Sequence, residues 1–484
     1  MKQIVFSLTV ILAFAIQSYS QDYFFDSKGN LLSKYQDENG LLDEQYLAEA
    51  KEYTSLEEAL KEPQKVFKLN LSSQKLDKIP EKVFELKNLQ ILDLSNNRIE
   101  EIPDDIAKLK NLQYLSLNTN LLRSVSPEIG KLHKLIMLDL ETNLLETLPE
   151  SIGQLVKLKN LLAGGNKLKE LPDQIGQITS LTNISLWGNQ LETLPEEFGN
   201  LSRLKTLDLS ENKLTQLPES FSKLSSLLIC NLSNNHFEEF PKPLLYTPNI
   251  AYLKISENFI GSLPKNIDQM KMIEILDLSY NLLDKLPKNF SRLNYLEKVN
   301  LSGNKFDTYP VALEKLIMLS SIDISHNNLS SLPKEIGNYI NLKTFKASFN
   351  YISELPKEFC RLNTLLTLDL AYNQLSELPE CFGNLQKLNY LNLSHNMFSE
   401  FPAQIYELHN LITLNISDNN ISTIKQLKGM PELKNLDLRN NNLTRLPEIK
   451  ALPSLVRLQL RGNFIDREQV KQLLEENPDI EISY

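Results

Sequence analysis

The chain has 484 residues, with 61 acidic and 51 basic side chains and a net charge of −10. This balance argues against nucleic acid and against an anionic membrane as partners. Phosphate-binding loops, dinucleotide fingerprints and the common hydrolase motifs are missing from the sequence, so we expect neither an enzyme nor a bound cofactor or metal.

Residues 1–20 have the features of a secretory signal peptide. Lys2 supplies a positive charge, residues 4–16 form an apolar run, and small residues precede Gln21. An apolar run of about 13 residues is shorter than the roughly 20 that a membrane span needs. We therefore expect cleavage and export, to the cell envelope or the outside, without membrane insertion.

An acidic and polar leader follows the signal segment. Residues 21–53 are expected to be loosely structured, and the run Thr54-Ser55-Leu56-Glu57 has the pattern of a capping box that begins a helix through Leu60. We predict that residues 21–65 form this leader and a helical cap over the first repeat.

An asparagine that recurs every 23 residues is the main feature of the chain from residue 66 to residue 465. The recurring positions are Asn97, Asn120, Asn143, Asn166, Asn189, Asn212, Asn235, Asn258, Asn281, Asn304, Asn327, Asn350, Asn373, Asn396 and Asn419, followed at 22-residue steps by Asn441 and Asn463. Gln74 holds the same position one period earlier, which makes 18 copies. A period of this length is typical of a solenoid.

Each copy carries spaced leucines before the asparagine and usually a proline six residues after it. One copy reads Leu89-x-x-Leu92-x-Leu94-x-x-Asn97-x-Ile99. Alternating leucines predict a short strand with one buried face. The asparagine amide both donates and accepts, so it can satisfy backbone groups at the turn that follows.

This unit resembles the leucine-rich repeats, in particular the 23-residue class of secreted bacterial proteins and Shoc2-like scaffolds. The resemblance implies an α/β repeat solenoid, a horseshoe with a parallel concave sheet and short irregular or helical convex segments. Residues 466–484 are expected to close its far end, with a helix from Asp466 to Glu476 and a strand from Ile480 to Tyr484.

Three cysteines are too few for a disulfide framework. Cys230 replaces a core leucine and is expected to be buried. Cys360 and Cys381 lie on the outer side of neighbouring repeats, 21 residues apart where 23 would align them. A disulfide between them is one alternative, and two free thiols are the favoured one.

Two sets of polar residues are candidates for a catalytic or a metal-binding role. Seven aspartates recur between the strand leucines: Asp93, Asp139, Asp208, Asp277, Asp323, Asp369 and Asp437. Because Asn231 and Asn300 fill the same position in other copies, a hydrogen-bonded polar row is favoured over paired catalytic carboxylates. His326 and His395 are three repeats apart, roughly 14 Å at the spacing of strands, which is too far to share a metal.

Two groups of large side chains stand out at strand positions expected to face outward. The first consists of Ile136, Met137, Leu162 and Trp187, and the second of Tyr280, His326, Phe349, Tyr372 and His395, with Tyr252 and Tyr390 nearby. Exposed apolar groups indicate a contact surface, although aromatic side chains on neighbouring strands also stabilise a sheet by packing on each other. Contact with a partner is the favoured interpretation for the second group, and both interpretations stay open for the first.

The sequence thus predicts a monomeric, exported, non-enzymatic protein that binds a protein or a cell-surface glycan through its concave face. The alternative is an intracellular signalling scaffold of the Shoc2-like kind, which the signal segment contradicts.

Overall fold

The computed structural model describes residues 41–42, 44–424, 427, 429–445, 449 and 451–484. The predicted signal peptide, most of the leader and Pro447 lie outside the described residues. The chain divides into two compact units, the first ending at Leu204 and the second running from Lys205 to Tyr484.

The first unit begins with helix α1 (Glu44–Glu49), strand β1 (Glu52–Tyr53) and helix α2 (Leu56–Ala59). One strand per repeat follows: β2 (Lys68–Asn70), β3 (Ile91–Asp93), β4 (Tyr114–Ser116), β5 (Met137–Asp139), β6 (Asn160–Leu162) and β7 (Asn183–Ser185). Strands β1 to β7 pair in parallel in chain order. From β2 onward, each residue pairs with the residue one period later.

The second unit has the same organisation. Its strands are β8 (Thr206–Asp208), β9 (Ile229–Asn231), β10 (Tyr252–Lys254), β11 (Ile275–Asp277), β12 (Lys298–Asn300), β13 (Ser321–Asp323), β14 (Thr344–Lys346), β15 (Thr367–Asp369), β16 (Tyr390–Asn392), β17 (Thr413–Asn415), β18 (Asn435–Asp437), β19 (Arg457–Gln459) and β20 (Glu481–Ser483), with helix α3 (Arg467–Glu476) before the last. All pair in parallel in chain order.

Short 3-10 helices return the chain from one strand to the next. In the first unit they are Pro63–Lys65, Glu81–Glu85, Asp104–Lys108, Pro127–Lys131, Glu150–Gln154, Asp173–Gln177 and Glu196–Asn200. In the second they are Glu219–Lys223, Lys242–Tyr246, Ile267–Gln269, Lys288–Arg292, Val311–Lys315, Lys334–Asn338, Lys357–Arg361, Glu380–Asn384 and Ala403–Glu407. The recurring proline precedes most of them, as Pro149 does with φ −71°, because its fixed φ suits this position.

The asparagines form a hydrogen-bonded ladder within each unit, as the sequence predicts. Asn120 donates its Nδ2 to the carbonyls of Leu117 and of Leu94 in the preceding repeat, both at 3.0 Å. Its Oδ1 accepts the N–H of Ile99, also in the preceding repeat, at 2.9 Å. Each amide therefore joins two repeats through buried bonds, and the predicted fold class, a leucine-rich repeat solenoid with one parallel strand per repeat, is confirmed.

The described part of the leader is more ordered than the sequence suggests. The described part of the leader contains α1 and β1, so the expectation of loose structure up to residue 53 is wrong there. The N-cap of α2 is Ser55, which accepts the N–H of Glu58 at 3.5 Å, so the helix begins one residue later than the capping-box prediction implies. At the other end, Asp466 is the N-cap of α3, so this helix begins one residue later than predicted and ends at Glu476 as predicted.

The favoured interpretation of the cysteines was wrong. Cys360 and Cys381 form a disulfide with their Cα atoms 5.8 Å apart. They lie in the neighbouring 3-10 segments Lys357–Arg361 and Glu380–Asn384, where the fourth residue of one segment meets the second residue of the next. This stagger makes a 21-residue step the close one. Cys230 is buried and unpaired, as predicted.

Candidate functional site

The predicted aromatic residues of the second unit form one stacked column. We use the name aromatic column for Tyr280, His326, Phe349, Tyr372 and His395, each of which directly precedes a ladder asparagine. Ring centroids lie 4.1 Å apart between His326 and Phe349, 4.0 Å between Phe349 and Tyr372, and 3.8 Å between Tyr372 and His395. Ring planes in these three pairs are within 14° of parallel. The alternative interpretation from the sequence, that these aromatic side chains pack on each other, is therefore correct. It does not exclude contact with a partner.

Tyr280 joins the column across a repeat that carries glycine. Its ring lies over Gly303, where an added Cβ would come within 2.6 Å of Tyr280 Cδ1, and its centroid is 6.4 Å from that of His326. Any larger residue at Gly303 would displace the tyrosine. The column ends at His395, whose Nε2 lies 3.4 Å from Asp418 Oδ2.

Every residue of the column has a left-handed backbone. Their φ angles lie between 52° and 55°, a region that costs about 1–2 kcal/mol for a residue with a bulky side chain. The same left-handed φ occurs at this position in other repeats, which carry glycine, asparagine, threonine or glutamate there, as at Gly165, Asn234, Thr142 and Glu211. The left-handed backbone is therefore a property of the turn in the repeat, and the column differs from the other repeats in its aromatic side chains.

Stacking leaves the edges of the central rings accessible and covers their faces. Phe349 has His326 on one face and Tyr372 on the other, yet 41% of its surface is exposed. Tyr372 is equally exposed, and Tyr280 is 52% exposed. The accessible surface is thus a row of ring edges, a tyrosine hydroxyl and imidazole nitrogens.

Tyr252 and Tyr390 begin strands β10 and β16, in repeats far apart from each other. Tyr252 lies between Ile229 and Ile275 in the strand register, and Tyr390 lies next to Thr367. The structure does not bring these two tyrosines together. The strand of Tyr390 leads to His395 of the aromatic column, whereas the strand of Tyr252 leads to Glu257, which is outside the column.

Trp187 in the first unit lies across the backbone of the preceding repeat. An added Cβ on Gly165 would come within 3.3 Å of the indole, and the ring also covers Gly164. The indole Nε1 donates to Glu141 Oε1 at 3.1 Å, and the Ser185 hydroxyl donates to the same oxygen at 2.7 Å. The two glycines and Glu141 thus hold the only tryptophan flat on the strand face, half-buried together with Ile136 and Leu162.

Met137 occupies one of the predicted outward strand positions, but its side chain is only 1% exposed, so the expectation that it is accessible to a partner is wrong. Its strand neighbours are Tyr114 and Asn160. Ile136, Leu162 and Trp187 remain as accessible residues of this group.

The described residues of the leader cover part of the strand face of the first repeats. Leu42 and Leu47 form a buried cluster with Ile91, and Tyr114 packs against it. The N–H of Leu42 donates to Gln90 Oε1 at 3.2 Å. Sequence reasoning missed this contact, although leucines within an acidic leader are a detectable signal for it.

Exposed apolar residues also directly follow some of the ladder asparagines, at a position that was not among the predicted contact positions. Phe259 is 52% exposed, Tyr351 55% and Met397 53%. Each lies two residues beyond the position that the aromatic column occupies in its repeat, so they add exposed apolar surface to the second unit. The pattern can be read from the sequence once this position is aligned.

The aspartate row caps the strand ends. Asp277 Oδ1 accepts the N–H of Ser279 at 3.0 Å, and Asn300 Oδ1 does the same for Ser302 at 3.1 Å. This confirms the polar-row interpretation, since aspartate and asparagine make the same bond. The part of the chain that the structure describes contains no cluster of three or more His, Cys, Asp or Glu side chains able to hold a metal ion.

Asp139 is the most deeply buried member of the row, with 6% of its surface exposed. Burial raises its pKa to about 6, although hydrogen bonds from Asn118 and from the backbone N–H of Glu141 oppose the shift. A carboxyl whose pKa is raised on folding binds its proton more tightly in the folded state, so stability falls as pH rises from about 4 to about 6.

Replacing Asp139 by asparagine is therefore expected to stabilise the protein at pH 7 by about 1–2 kcal/mol. The substitution should also flatten the decrease in stability between pH 4 and pH 6, which urea unfolding at a series of pH values would measure. Asp277→Asn, in the same position of another repeat, is the matched control. An unchanged pH profile in Asp139→Asn would contradict the prediction.

Comparisons with known proteins agree with this architecture. Models of leucine-rich repeats match residues 64–122, 179–237, 248–306 and 340–398, and a model of a leucine-rich repeat region matches residues 104–191. Further leucine-rich repeat models match residues 318–339, 409–451 and 431–473. A search of curated proteins finds no match.

Solved structures resemble the chain over most of its length. A leucine-rich repeat protein of Leptospira interrogans is 34% identical, with 90% of this chain and 100% of that chain covered and a TM-score of 0.69. The Arabidopsis receptor kinase HAESA, solved with a peptide hormone and a co-receptor, is 27% identical over 80% of this chain and 72% of that chain, with a TM-score of 0.56. An internalin from Listeria monocytogenes shares the fold at 21% identity, 66% and 85% coverage and a TM-score of 0.52.

Leucine-rich repeat folds are typically binding scaffolds without enzymatic activity, and solved relatives of this chain bind protein ligands. No helix within the described ranges is long and apolar enough to cross a membrane. The asparagine ladder, the parallel strands and the 34% identity to the Leptospira protein over nearly the whole chain lead to one conclusion: the chain belongs to the leucine-rich repeat family.

Proposed function

We propose that this is an exported, non-enzymatic protein that binds a protein ligand through the aromatic column of its second unit. The observation that carries the proposal is the run of stacked aromatic rings whose edges stay exposed on neighbouring repeats. Large exposed apolar side chains gathered on one surface are typical of a contact site. Stacking between rings contributes about 0.5–1.5 kcal/mol per pair, but it does not require the exposed ring edges.

The stacking also favours a protein over a glycan. Sugar rings pack on the faces of aromatic side chains, and both faces of Phe349 and Tyr372 are occupied by neighbouring rings. Ring edges carry partial positive charge, so they suit backbone carbonyls and apolar side chains of a protein. We infer that Phe259, Tyr351 and Met397 extend the same surface.

Trp187 supports a second contact surface in the first unit. The indole lies against glycine backbone and is half-buried, like Ile136 and Leu162. Such a fixed, flat aromatic group loses little entropy on binding. We propose that this group contacts a ligand independently of the aromatic column.

Export is supported by residues 1–20 and by the disulfide between Cys360 and Cys381, since stable disulfides are formed mainly outside the cytosol. The alternative is an intracellular Shoc2-like scaffold. Mass spectrometry of the chain purified from the cells that produce it would separate the two. A mature N-terminus at Gln21 supports export, whereas an intact Met1 in the cytosolic fraction supports the scaffold.

The variant that tests the binding surface uses a replacement residue that is compatible with the left-handed backbone at this position. Replacing Tyr280, Phe349 and Tyr372 together by asparagine removes the exposed edges and keeps a residue type that other repeats place at this position with the same φ. We expect the variant to retain its fold by circular dichroism. It should lose capture of any protein that the wild type retains from envelope and host-cell extracts.

Val156→Ser provides the control, because Val156 is 58% exposed but belongs to neither surface. It should capture the same protein as the wild type. Equal capture by the triple asparagine variant would show that the column is not the binding site.

A further inference from the structure

The leader shows which kind of segment covers an apolar surface on this strand face. Leu42 and Leu47 pack on Ile91, which is 7% exposed. Ile91 and Tyr114, which begin β3 and β4, are neighbours in the strand register, and Tyr114 packs against the same cluster. Leu47 lies in helix α1, whereas Glu49 of this helix is exposed. The covering segment is thus a short amphipathic helix and the residues just before it, with leucines toward the strands.

A lysine binds the end of that helix. Lys68, which begins β2, pairs with Ile91 in the strand register. Its Nζ donates to the carbonyl of Ala48 in the last turn of α1. Carbonyls at the C-terminus of a helix lack partners within the helix, and lysine side chains can bind them. We call Lys68, Ile91 and Tyr114 the leader site, which combines apolar residues for the leucines with a lysine for the helix C-terminus.

The same two components recur in the second unit. Ile229, Tyr252 and Ile275 begin strands β9, β10 and β11 and are neighbours in the strand register. We call these three residues the apolar row. Lys298 begins β12, pairs with Ile275 and is exposed. All four lie six residues before a ladder asparagine, as Ile91 does in its own repeat.

The apolar row is accessible, whereas the leader site is covered. Ile229 is 42% exposed, against 7% for Ile91 at the equivalent position. Tyr252 and Ile275 are half-buried, and Leu228, 44% exposed, adds apolar surface beside Ile229. Threonine fills the position of the row in other repeats. The strands therefore do not require apolar side chains here, and their presence on the surface indicates a contact site.

We propose that the apolar row and Lys298 bind a short amphipathic helix of a protein partner, in the way that the leader site binds α1. Leucines of the partner helix cover the row, and the carbonyls at its C-terminus bind Lys298. Lys68 lies before the apolar residues of its site in strand order, and Lys298 lies after the row. The bound helix therefore crosses the strands in the direction opposite to α1. This proposal is independent of the function proposed for the aromatic column.

The shape of the apolar row favours a helix over a lipid surface. Asn231, Lys254 and Asp277 lie two residues later in the same strands and face the same side. The apolar strip is therefore narrow along the strands, and it is roughly 10 Å long across three of them. One helix with leucines on one side matches this strip, whereas a membrane surface needs a broader apolar face. The leader of a second copy is held in its own chain by Leu42 and Leu47, so a different protein supplies the helix.

A peptide with the sequence of residues 41–50 is the probe, because it carries both leader leucines and the sequence of α1. It is titrated into the full chain to about 1 mM and followed by calorimetry. The leader site is blocked by the tethered leader, whose effective concentration is high. Replacing Ile229, Tyr252 and Ile275 together by threonine should weaken binding at least about 10-fold. This variant should fold, because threonine suits strands.

Val456→Thr, which changes a residue 53% exposed just before β19, is the control and should bind the peptide like the wild type. A peptide with serine in place of Leu42 and Leu47 should not bind. Failure of the wild type to bind the unchanged peptide, or equal binding by the triple threonine variant, would overturn the proposal. So would a wild-type dimer in sedimentation velocity that the triple variant loses, since the row then binds a second copy.

A second experiment tests the direction of the bound helix. With Lys298→Cys, a peptide extended by cysteine at its C-terminus should form a disulfide under mild oxidation, and a peptide extended at its N-terminus should not. Thr206 pairs with Ile229 at the other end of the row, so Thr206→Cys should give the reverse result. Preferential linkage of the N-terminal cysteine to residue 298 would refute the assignment of Lys298 to the helix C-terminus.

Discussion

Replacing Asn281 by alanine is expected to lower the free energy of unfolding by roughly 3 kcal/mol. The amide is 4% exposed. It donates to the carbonyls of Ile255 at 2.9 Å and Leu278 at 3.2 Å and accepts the N–H of Ile260 at 3.0 Å. Alanine leaves these buried groups without partners and gives no new ones. Urea unfolding followed by circular dichroism would measure the loss.

Gln74→Ala is the matched control for this prediction. Gln74 occupies the same position in the first copy, but its side chain is exposed and donates a single bond, to the Thr54 carbonyl at 2.9 Å. Its removal should cost less than about 1 kcal/mol. Equal losses for the two variants would mean that the ladder amides do not stabilise the interior as described.

Loss of the disulfide is the other large expected effect. Cys360 and Cys381 close a loop with a sequence separation of 21 residues, and a cross-link of that span contributes about 3 kcal/mol by restricting the unfolded chain. The double variant Cys360→Ser, Cys381→Ser should be destabilised by this amount. Wild-type protein in reductant should behave like the variant.

Thiol titration in denaturant provides an independent check. With the disulfide intact, only Cys230 should react, and after reduction all 3 cysteines of the chain should react. Cys230→Ala keeps the cross-link and should remain sensitive to reductant. Equal stability of oxidised and reduced wild-type protein would contradict the predicted contribution.

The fold could be predicted because the same sequence pattern occurs in 18 copies. Alternating leucines and a regular asparagine define strand, turn and buried face in each copy, so an error in one copy is corrected by the others. Helix α3 was also predictable, since Asp466 is a standard capping residue and Pro478 ends the segment. The capping box at Thr54 was placed one residue early, because Ser55 competes for the same role.

The site was predictable only in part. The positions of Tyr280, Phe349 and Tyr372 could be read from the alignment of copies, but their left-handed backbone could not, because it results from the turn that the asparagine forms. Met137 was wrongly expected to be accessible, because accessible positions were inferred from strand alternation alone. Whether an outward-facing position is covered depends on its neighbours, such as Tyr114, which packs against leucines of the leader.

The prediction of two free thiols at Cys360 and Cys381 was wrong for a geometric reason. Aligning the copies at 23 residues treats equivalent positions as nearest neighbours. On the outer side, however, the 3-10 segments are offset, so Cys360 lies closest to a residue 21 positions later. A period in the sequence therefore identifies neighbours reliably on the strands, and only approximately elsewhere.

The hydrogen bonds of each ladder asparagine have a consequence for how such a chain can evolve. Because Asn350 reaches no farther than the preceding repeat, where it bonds to Ile324 and Leu329, duplicating or deleting one whole 23-residue copy within a unit leaves every remaining bond of the same kind intact. Unequal recombination between copies can therefore lengthen or shorten the aromatic column by single rings. The repeat architecture lets a lineage change the extent of a recognition surface without having to discover a new fold.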